Sequence, residues 1–320
     1  MEISLATAVK LLQDADTLVV TGHIHPDGDC LGSMLALYEY LSSSGKQVQL
    51  LLDDDVPALY SFLPGSEKIG RPENRTITAD LLVVVDASDA ERIANVKNLV
   101  SAKILNLDHH ISNTKFADYY YIDTTAAATG EIILAILRQV NTVITSTMAV
   151  NLFTAIATDC GFFRYANTTS VTLREAAALV DAGAQPHIIS EYLETKPLES
   201  ILTLKKILDT LELHADGQIA AITVAPDSND NGNDNGNTEG MINYPRNIEG
   251  VEIAIMFKPG DDDTTRVSLR SRAVDVSRLA VSFGGGGHAR AAGCSVNAPM
   301  SQAKEKVFQA ATDLLLELGI

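Results

Sequence analysis

The chain has 320 residues, is 46% hydrophobic and 20% charged, and carries a formal net charge of -17. That length accommodates two ordinary domains, and the composition is that of a soluble globular protein. No apolar run approaches the ~18 residues of a membrane span. The negative charge argues against general binding to long nucleic acids, because counterion release needs a cationic surface; a local cationic pocket stays open. Cys30, Cys160 and Cys294 lack metal-type spacing. They read as isolated thiols in a reducing, cytoplasmic compartment, with Cys30 and Cys160 as small buried side chains.

Residues 3–15 read as an amphipathic helix, with Glu2, Lys10, Asp14 and Asp16 around the apolar positions, and not as a signal peptide. Residues 17–20 are a short β-rich strand. Then follows Thr21-Gly22-His23-Ile24-His25-Pro26-Asp27-Gly28-Asp29-Cys30-Leu31-Gly32-Ser33. Leu31, Met34, Leu35, Leu37 and Leu41 have helical spacing, so a helix is expected over 31–41. His23, Asp27 and Asp29 therefore belong to the turn at a strand's C-terminal end, where open α/β sheets bind ligands. Gly28 permits a tight turn there. Imidazole and carboxylates so close together suit a divalent cation. Alone, the stretch reads equally well as a solvated Asp-Gly turn.

Residues 48–52 form the next strand, and Asp53-Asp54-Asp55 a solvated loop. Residues 81–85 are a fully buried strand stopping at Asp86. Residues 104–107 form another, stopping at Asp108-His109-His110, and residues 119–122 a further short strand. Helices are expected over 129–140, 146–158, 171–182 and 186–193. This alternation predicts an α/β fold with a mostly parallel sheet covered on both faces. Parallel strand ends share one edge, so Asp27 and Asp29, then Asp86, then Asp108-His109-His110 can meet in one cleft. Asp159, at a helix end before Gly161, supplies a fourth cluster. One acidic strand terminus is usually a cap; four clusters at four element ends are hard to explain structurally.

Residues 193–210 read as a helical connector with Pro197 near its start, dividing a first domain over 1–192 from a smaller α/β domain over 211–320 with a mixed sheet. Strands are expected there over 211–213, 219–224, 250–257 and 265–269, and helices over 276–282 and 301–318. The Asp/Asn/Gly-rich run 227–237 reads as a mobile surface loop, not an EF-hand. Arg266, Arg270, Arg272, Arg278 and Arg290, with His288, gather in one segment that holds a single acid, Asp275, between Thr264 and Arg290. Period two puts Arg266, Ser268, Arg270 and Arg272 on one strand face. Gly284-Gly285-Gly286-Gly287-His288 follows, a backbone able to form an anion-binding concavity; the plain alternative is a flexible linker. It is not a P-loop, because Gly-Lys-Ser/Thr is missing.

Asp108-His109-His110, with His23, Asp27 and Asp29 upstream, Asp86 between and Asp159 after, resembles the DHH phosphoesterase family. The strand at Val267 to Ser271 and the Gly284 to Gly293 segment resemble its DHH-associated C-terminal domain. The layout looks most like the bacterial nanoRNase and pAp-phosphatase subgroup, which includes enzymes that degrade cyclic di-AMP and pApA. The resemblance implies two metal ions, Mn²⁺ with Co²⁺ or Mg²⁺ as substitutes. His23, Asp27 and Asp86 would hold one; Asp29, Asp86, His109 and Asp159 the other, with Asp86 bridging. His25 leaves an ambiguity that family spacing resolves toward His23. His110 would face the scissile phosphate and Asp108 orient the histidines. Arg270, Ser271, Gly285, Gly286, Gly287, His288 and Arg290 would bind substrate. The implied activity is hydrolysis of short oligoribonucleotides, pApA, pAp or cyclic di-AMP, with no long duplex and no membrane as partner and a homodimer left open. A manganese pyrophosphatase and a non-catalytic nucleotide-binding regulator are the competing readings.

Overall fold

A computed structural model describes residues 1–224, 240–260 and 263–320. The run 227–237, expected as a surface loop, lies outside the described residues. The chain divides into two units, Met1–Thr195 and Lys196–Ile320, so the helix expected as a connector counts with the second.

The first unit runs α1 (Leu5–Asp14), β1 (Thr17–Thr21), α2 (Gly28–Ser43), β2 (Gln47–Leu51), β3 (Ile69–Gly70), β4 (Ile77–Val85), α3 (Val96–Leu99), β5 (Val100–Asp108), β6 (Tyr119–Ile122), α4 (Thr129–Gln139), α5 (Ser146–Asp159), α6 (Ser170–Asp181) and α7 (Pro186–Glu194). The sheet has the order β3-β2-β1-β4-β5-β6, and every pairing is parallel. Leu81 to Val85 are buried because both faces of β4 are covered. On one face Leu18, Val20, Val83 and Leu105 pack against Leu31, Leu35, Ile133 and Leu152 of the helices. On the other, Val19, Leu82 and Val84 pack against Ile93 and Val96. The strand order reverses direction at β1, so β1 and β4 flank the switch point where such sheets bind ligands.

One strand and one helix extend beyond the apolar runs that reveal them. β4 starts at Ile77, four residues before the apolar run 81–85, so Asp80 lies inside it. Its carboxylate accepts hydrogen bonds from the backbone of Asp16 (3.0 Å) and Thr17 (2.8 Å), which joins the start of β1 to its neighbour. α2 starts at Gly28, not Leu31, because Asp27 caps it through the N–H groups of Asp29 (3.1 Å) and Cys30 (3.0 Å).

The second unit contains α8 (Leu198–Leu208), β7 (Glu212–His214), β8 (Ile219–Thr223), α9 (Asn243–Arg246), β9 (Ile253–Pro259), β10 (Thr265–Ser271), α10 (Ser277–Ser282), β11 (Gly286–His288), β12 (Ala291–Val296) and α11 (Met300–Leu318). Its sheet is mixed, in the order β11-β12-β10-β9-β8-β7, with β8 and β9 parallel and the other pairs antiparallel. α11 covers one face through Ala303, Val307, Ala311 and Leu315. Ile207 of α8, with Met241 and Ile242, covers the other. No helix among the described residues is long and apolar enough to cross a membrane.

Close packing of α2 on α5 sets where the acidic residues of both helices lie. A Cβ on Gly32 would come within 2.2 Å of the Asn151 carbonyl oxygen and 3.0 Å of the Ala155 methyl. Alanine gains ~1 kcal/mol of helix propensity over glycine, but backbone of a packed helix cannot step aside, and overpacking costs ~1–3 kcal/mol. A contact as short as 2.2 Å puts the cost at the upper end of that range, so Gly32→Ala is expected to destabilise the protein by about 2 kcal/mol net in urea unfolding; an unchanged or raised midpoint would contradict this packing.

Candidate metal centre at the strand ends

The loops after β1, β4 and β5 and the C-terminus of α5 bring six sequence-predicted metal residues together. The His23 ring is buried, and its Nδ1 lies 2.7 Å from the Ile24 carbonyl oxygen, so Nδ1 carries a proton and Nε2 points inward. Nε2 lies 3.6 Å from Asp27 Oδ1 and 3.5 Å from Asp86 Oδ2. His25 is placed elsewhere: its ring is exposed and faces Asp54, whose Oδ2 accepts its backbone N–H at 2.7 Å. The geometry thus puts His23, not His25, in the cluster.

Asp86 occupies the centre. Its backbone sits at φ +57°, an arrangement that costs a non-glycine residue about 1–3 kcal/mol. Its N–H donates to the Leu107 carbonyl at 3.0 Å, which fixes it against the end of β5. Oδ2 faces His23, while Oδ1 faces His109 Nε2 at 3.7 Å and accepts the Thr129 hydroxyl at 3.0 Å. His109 Nε2 also lies 3.8 Å from Asp29 Oδ2 and 3.6 Å from Asp159 Oδ2. Asp29 is held at the N-terminus of α4 by the N–H groups of Thr129 (2.6 Å) and Gly130 (2.9 Å), and by the Ser33 hydroxyl (3.1 Å). His110 stands beside them, 39% exposed, with Nδ1 2.8 Å from Asp108 Oδ1. Three triads have ligand atoms close enough for one ion each: His23, Asp27 and Asp86; Asp29, His109 and Asp159; Asp86, His109 and His110.

These residues fit a divalent cation. His109 Nε2 is buried and has no hydrogen-bond partner, although its other nitrogen reaches the Ala126 carbonyl at 3.3 Å. An imidazole anchored through one nitrogen, with the second aimed at three carboxylates, is a ligand in waiting. Among the described residues, the ion-pair partners of these carboxylates are all histidines. Burial lowers the His23 pKa, but Asp27 and Asp86 outweigh it and raise it to about 10, so a proton there stands in for a cation. Burial and then the charges of Asp86 and Asp159 push Asp29 well up. Burial, partly offset by His109, lifts Asp159 from its ordinary 3.8 to about 6. Asp108 stays below the usual carboxylate range despite burial, because His110 and Asn113 bond to it.

In the second unit, Arg266, Ser268 and Arg270 alternate with buried Thr265, Val267, Leu269 and Ser271 along β10, while Arg272 lies past the strand end. Ser271 departs from its expected role. It is buried, and its hydroxyl donates to the Val274 carbonyl at 2.5 Å, so it shapes the turn instead of facing a ligand. The glycine run is part turn and part edge strand. A Cβ on Gly285 or Gly287 would strike β12 at 2.2 Å and 2.5 Å, so close backbone approach explains those two. Gly286 meets nothing within 4 Å and is exposed, as are His288 and Arg290. Thr129 and Ser33, which orient the carboxylates, carried no sequence signal beyond their helical positions.

Family models match both units: the DHH family, N-terminal domain, over residues 17–158, and the DHHA1 domain over 216–317. The chain is 30% identical to the bifunctional oligoribonuclease and PAP phosphatase NrnA of Thermus thermophilus over 304 residues, 94% of this chain and 91% of that one. The chain belongs to the DHH family. The NrnA protein of Bacillus subtilis is 26% identical over 293 residues, 90% of this chain and 92% of the relative. An exopolyphosphatase-related protein of Bacteroides fragilis shares the fold, with a TM-score of 0.87 at 24% identity, covering 98% of this chain and 96% of that one. Family and fold accord with the α/β architecture expected from the sequence, and the relatives are phosphoesterases by name.

Asp159 binds its proton more tightly folded than unfolded, so metal-stripped protein loses stability as pH rises from about 3.8 to about 6. Asp159→Asn removes this group from the titration. In thermal unfolding with a chelator, the variant is expected to match the parent near pH 4 and exceed it above pH 6; parallel pH profiles would contradict this cost of burying the ionised Asp159.

Proposed function

We propose that this phosphoesterase is a dinuclear enzyme that hydrolyses short oligoribonucleotides, with pApA, pAp and cyclic di-AMP in the same substrate class. The observation that carries the reading is the placement of Asp86: one carboxylate oxygen faces His23, the other faces His109, and these histidines come from different strand ends. One ion would lie with His23, Asp27 and Asp86, the second with Asp29, Asp86, His109 and Asp159. Imidazole mixed with carboxylate suits Mn²⁺, with Co²⁺ or Mg²⁺ as substitutes. When bound, such a pair supplies a nucleophile at neutral pH and neutralises charge on the phosphate. The NrnA relatives, oligoribonucleases and PAP phosphatases by name, support this substrate class.

The chain's own residues do the rest. Asp108 accepts the Nδ1–H of His110 and raises the pKa of the ring, so that the imidazolium carries a second proton on Nε2 and can give it to the leaving ribose oxygen as general acid, a role worth ~10²–10⁴-fold. Thr129, Ser33 and the backbone of α4 keep Asp29 and Asp86 aimed without rotation. In the second unit, Arg270, His288 and Arg290 bind a terminal phosphate, and the exposed Gly286 lets it approach the backbone. The chain's net charge of -17 disfavours long polyanions outside that patch.

The test is kcat/KM over an RNA length series with and without a terminal phosphate, with pyrophosphate as the competing substrate. Two- to five-residue RNAs with a terminal phosphate are expected to be cleaved fastest. Gly286→Ala, which the fold accommodates, should raise KM for pApA about tenfold, the equivalent of ~1.4 kcal/mol, yet leave bis-nitrophenyl phosphate hydrolysis unchanged. Preference for long strands, or for pyrophosphate, would overturn the reading.

A further inference from the structure

Two asparagines with no role in the scheme above form a buried chain of amides beside it. Asn106 is fully buried within β5, where a polar side chain survives only if its hydrogen bonds are met. Its Nδ2 donates to the carbonyls of Val84 (3.3 Å) and Ala87 (3.2 Å), which flank Asp86. Its Oδ1 accepts Asn113 Nδ2 at 2.8 Å. Asn113 Nδ2 also donates to Asp108 Oδ2 at 2.5 Å and lies 3.3 Å from the Ala87 carbonyl. The orientation of the Asn113 amide is fixed from its other end, since Oδ1 accepts the Lys115 N–H at 2.7 Å. Asp108, itself fully buried, thus has one oxygen on Asn113 and the other on His110.

We propose that Asn113, seated on Asn106, is a positioning residue that aims His110. The amide locks the rotation of the Asp108 carboxylate, and the locked carboxylate fixes both the tautomer and the plane of the His110 ring. The same amide pair grips the backbone on either side of Asp86, whose φ of +57° needs external support. Asn113 is not needed to tether its loop, because the Thr114 N–H already donates to the Ser88 carbonyl at 2.7 Å and its hydroxyl does so at 3.2 Å. Its amide is therefore free for orientation. Partners one step removed from reacting groups change activity by about 10- to 100-fold when lost.

The proposal rests on the reading of His110 as the general acid, and two measurements separate them. Kinetics on pApA should show Asn113→Ala lowering kcat about 10- to 100-fold, with KM within about twofold and metal content unchanged. In a His110→Ala background the same substitution should change kcat by less than about twofold, since a residue acting through His110 has nothing left to act on. Nitrogen-15 NMR of the Mg²⁺-loaded protein should show the His110 Nδ1–H signal shifted or lost in Asn113→Ala. Asn113→Asp keeps the volume but turns an oxygen toward Asp108; it carries the test if the alanine variant fails to fold, with a loss at least as large. A loss that multiplies in full on His110→Ala, a change in KM alone, or an unmoved His110 signal would overturn the brace. A His110→Ala enzyme with undiminished kcat, whose parent still shows the His110 signal responding to Asn113→Ala, would overturn the general acid and leave the brace standing.

Discussion

The structure depends on a concentration of negative charge that the protein alone leaves unbalanced. Asp29, Asp86 and Asp159 converge on the single imidazole of His109, and Asp29 and Asp86 are almost wholly buried. The Asp29 and Asp159 carboxylates have oxygens within 4.8 Å of each other, and charges that close repel by ~3–4 kcal/mol even at an effective dielectric constant near 20. No Lys or Arg among the described residues pairs with them, and a proton on His23 relieves only part of the strain. Divalent cations would remove the repulsion and occupy the nitrogen of His109 that otherwise has no partner. The centre resembles other functional sites in trading stability for chemistry.

The fold makes this concentration sustainable. A parallel sheet places its strand C-termini along one edge, and the reversal of strand order at β1 opens the crevice there. Helix N-termini then supply N–H groups to the carboxylates: α2 to Asp27, α4 to Asp29. Glycines at positions 28, 32 and 130 let α2, α4 and α5 approach closely enough for the acids on different helices to share a centre. The geometry of the candidate centre is thus a product of helix packing as much as of loop sequence.

Much of this was legible in the sequence because parallel strands, buried on both faces, read as continuous apolar runs. The run before Asp86 is of this kind, the run before Asp108 is broken only by Asn106, and each ends on an acidic residue of the centre. What lay outside those runs was harder to read. The polar first half of β4 is held by Asp80, whose carboxylate accepts the N–H groups of Asp16 and Thr17, more than sixty residues away in sequence. β11 and β12 pair through glycine and alanine, residues of low β-propensity, so backbone proximity and not side-chain pattern defines them. Ser271 resembled a ligand-facing residue by motif, yet the alternation of β10 places it inward. Thr129 and Asn113 act only through other residues, which a one-dimensional motif does not display.

The central claim is that Asp86 joins two metal positions into one centre. Calorimetric titration of stripped protein with Mn²⁺, paired with elemental analysis, tests it directly. The account predicts two ions per wild-type chain and, in an Asp86→Ala variant that remains folded, loss of tight binding at both positions. Two ions bound with undiminished affinity by Asp86→Ala would contradict it.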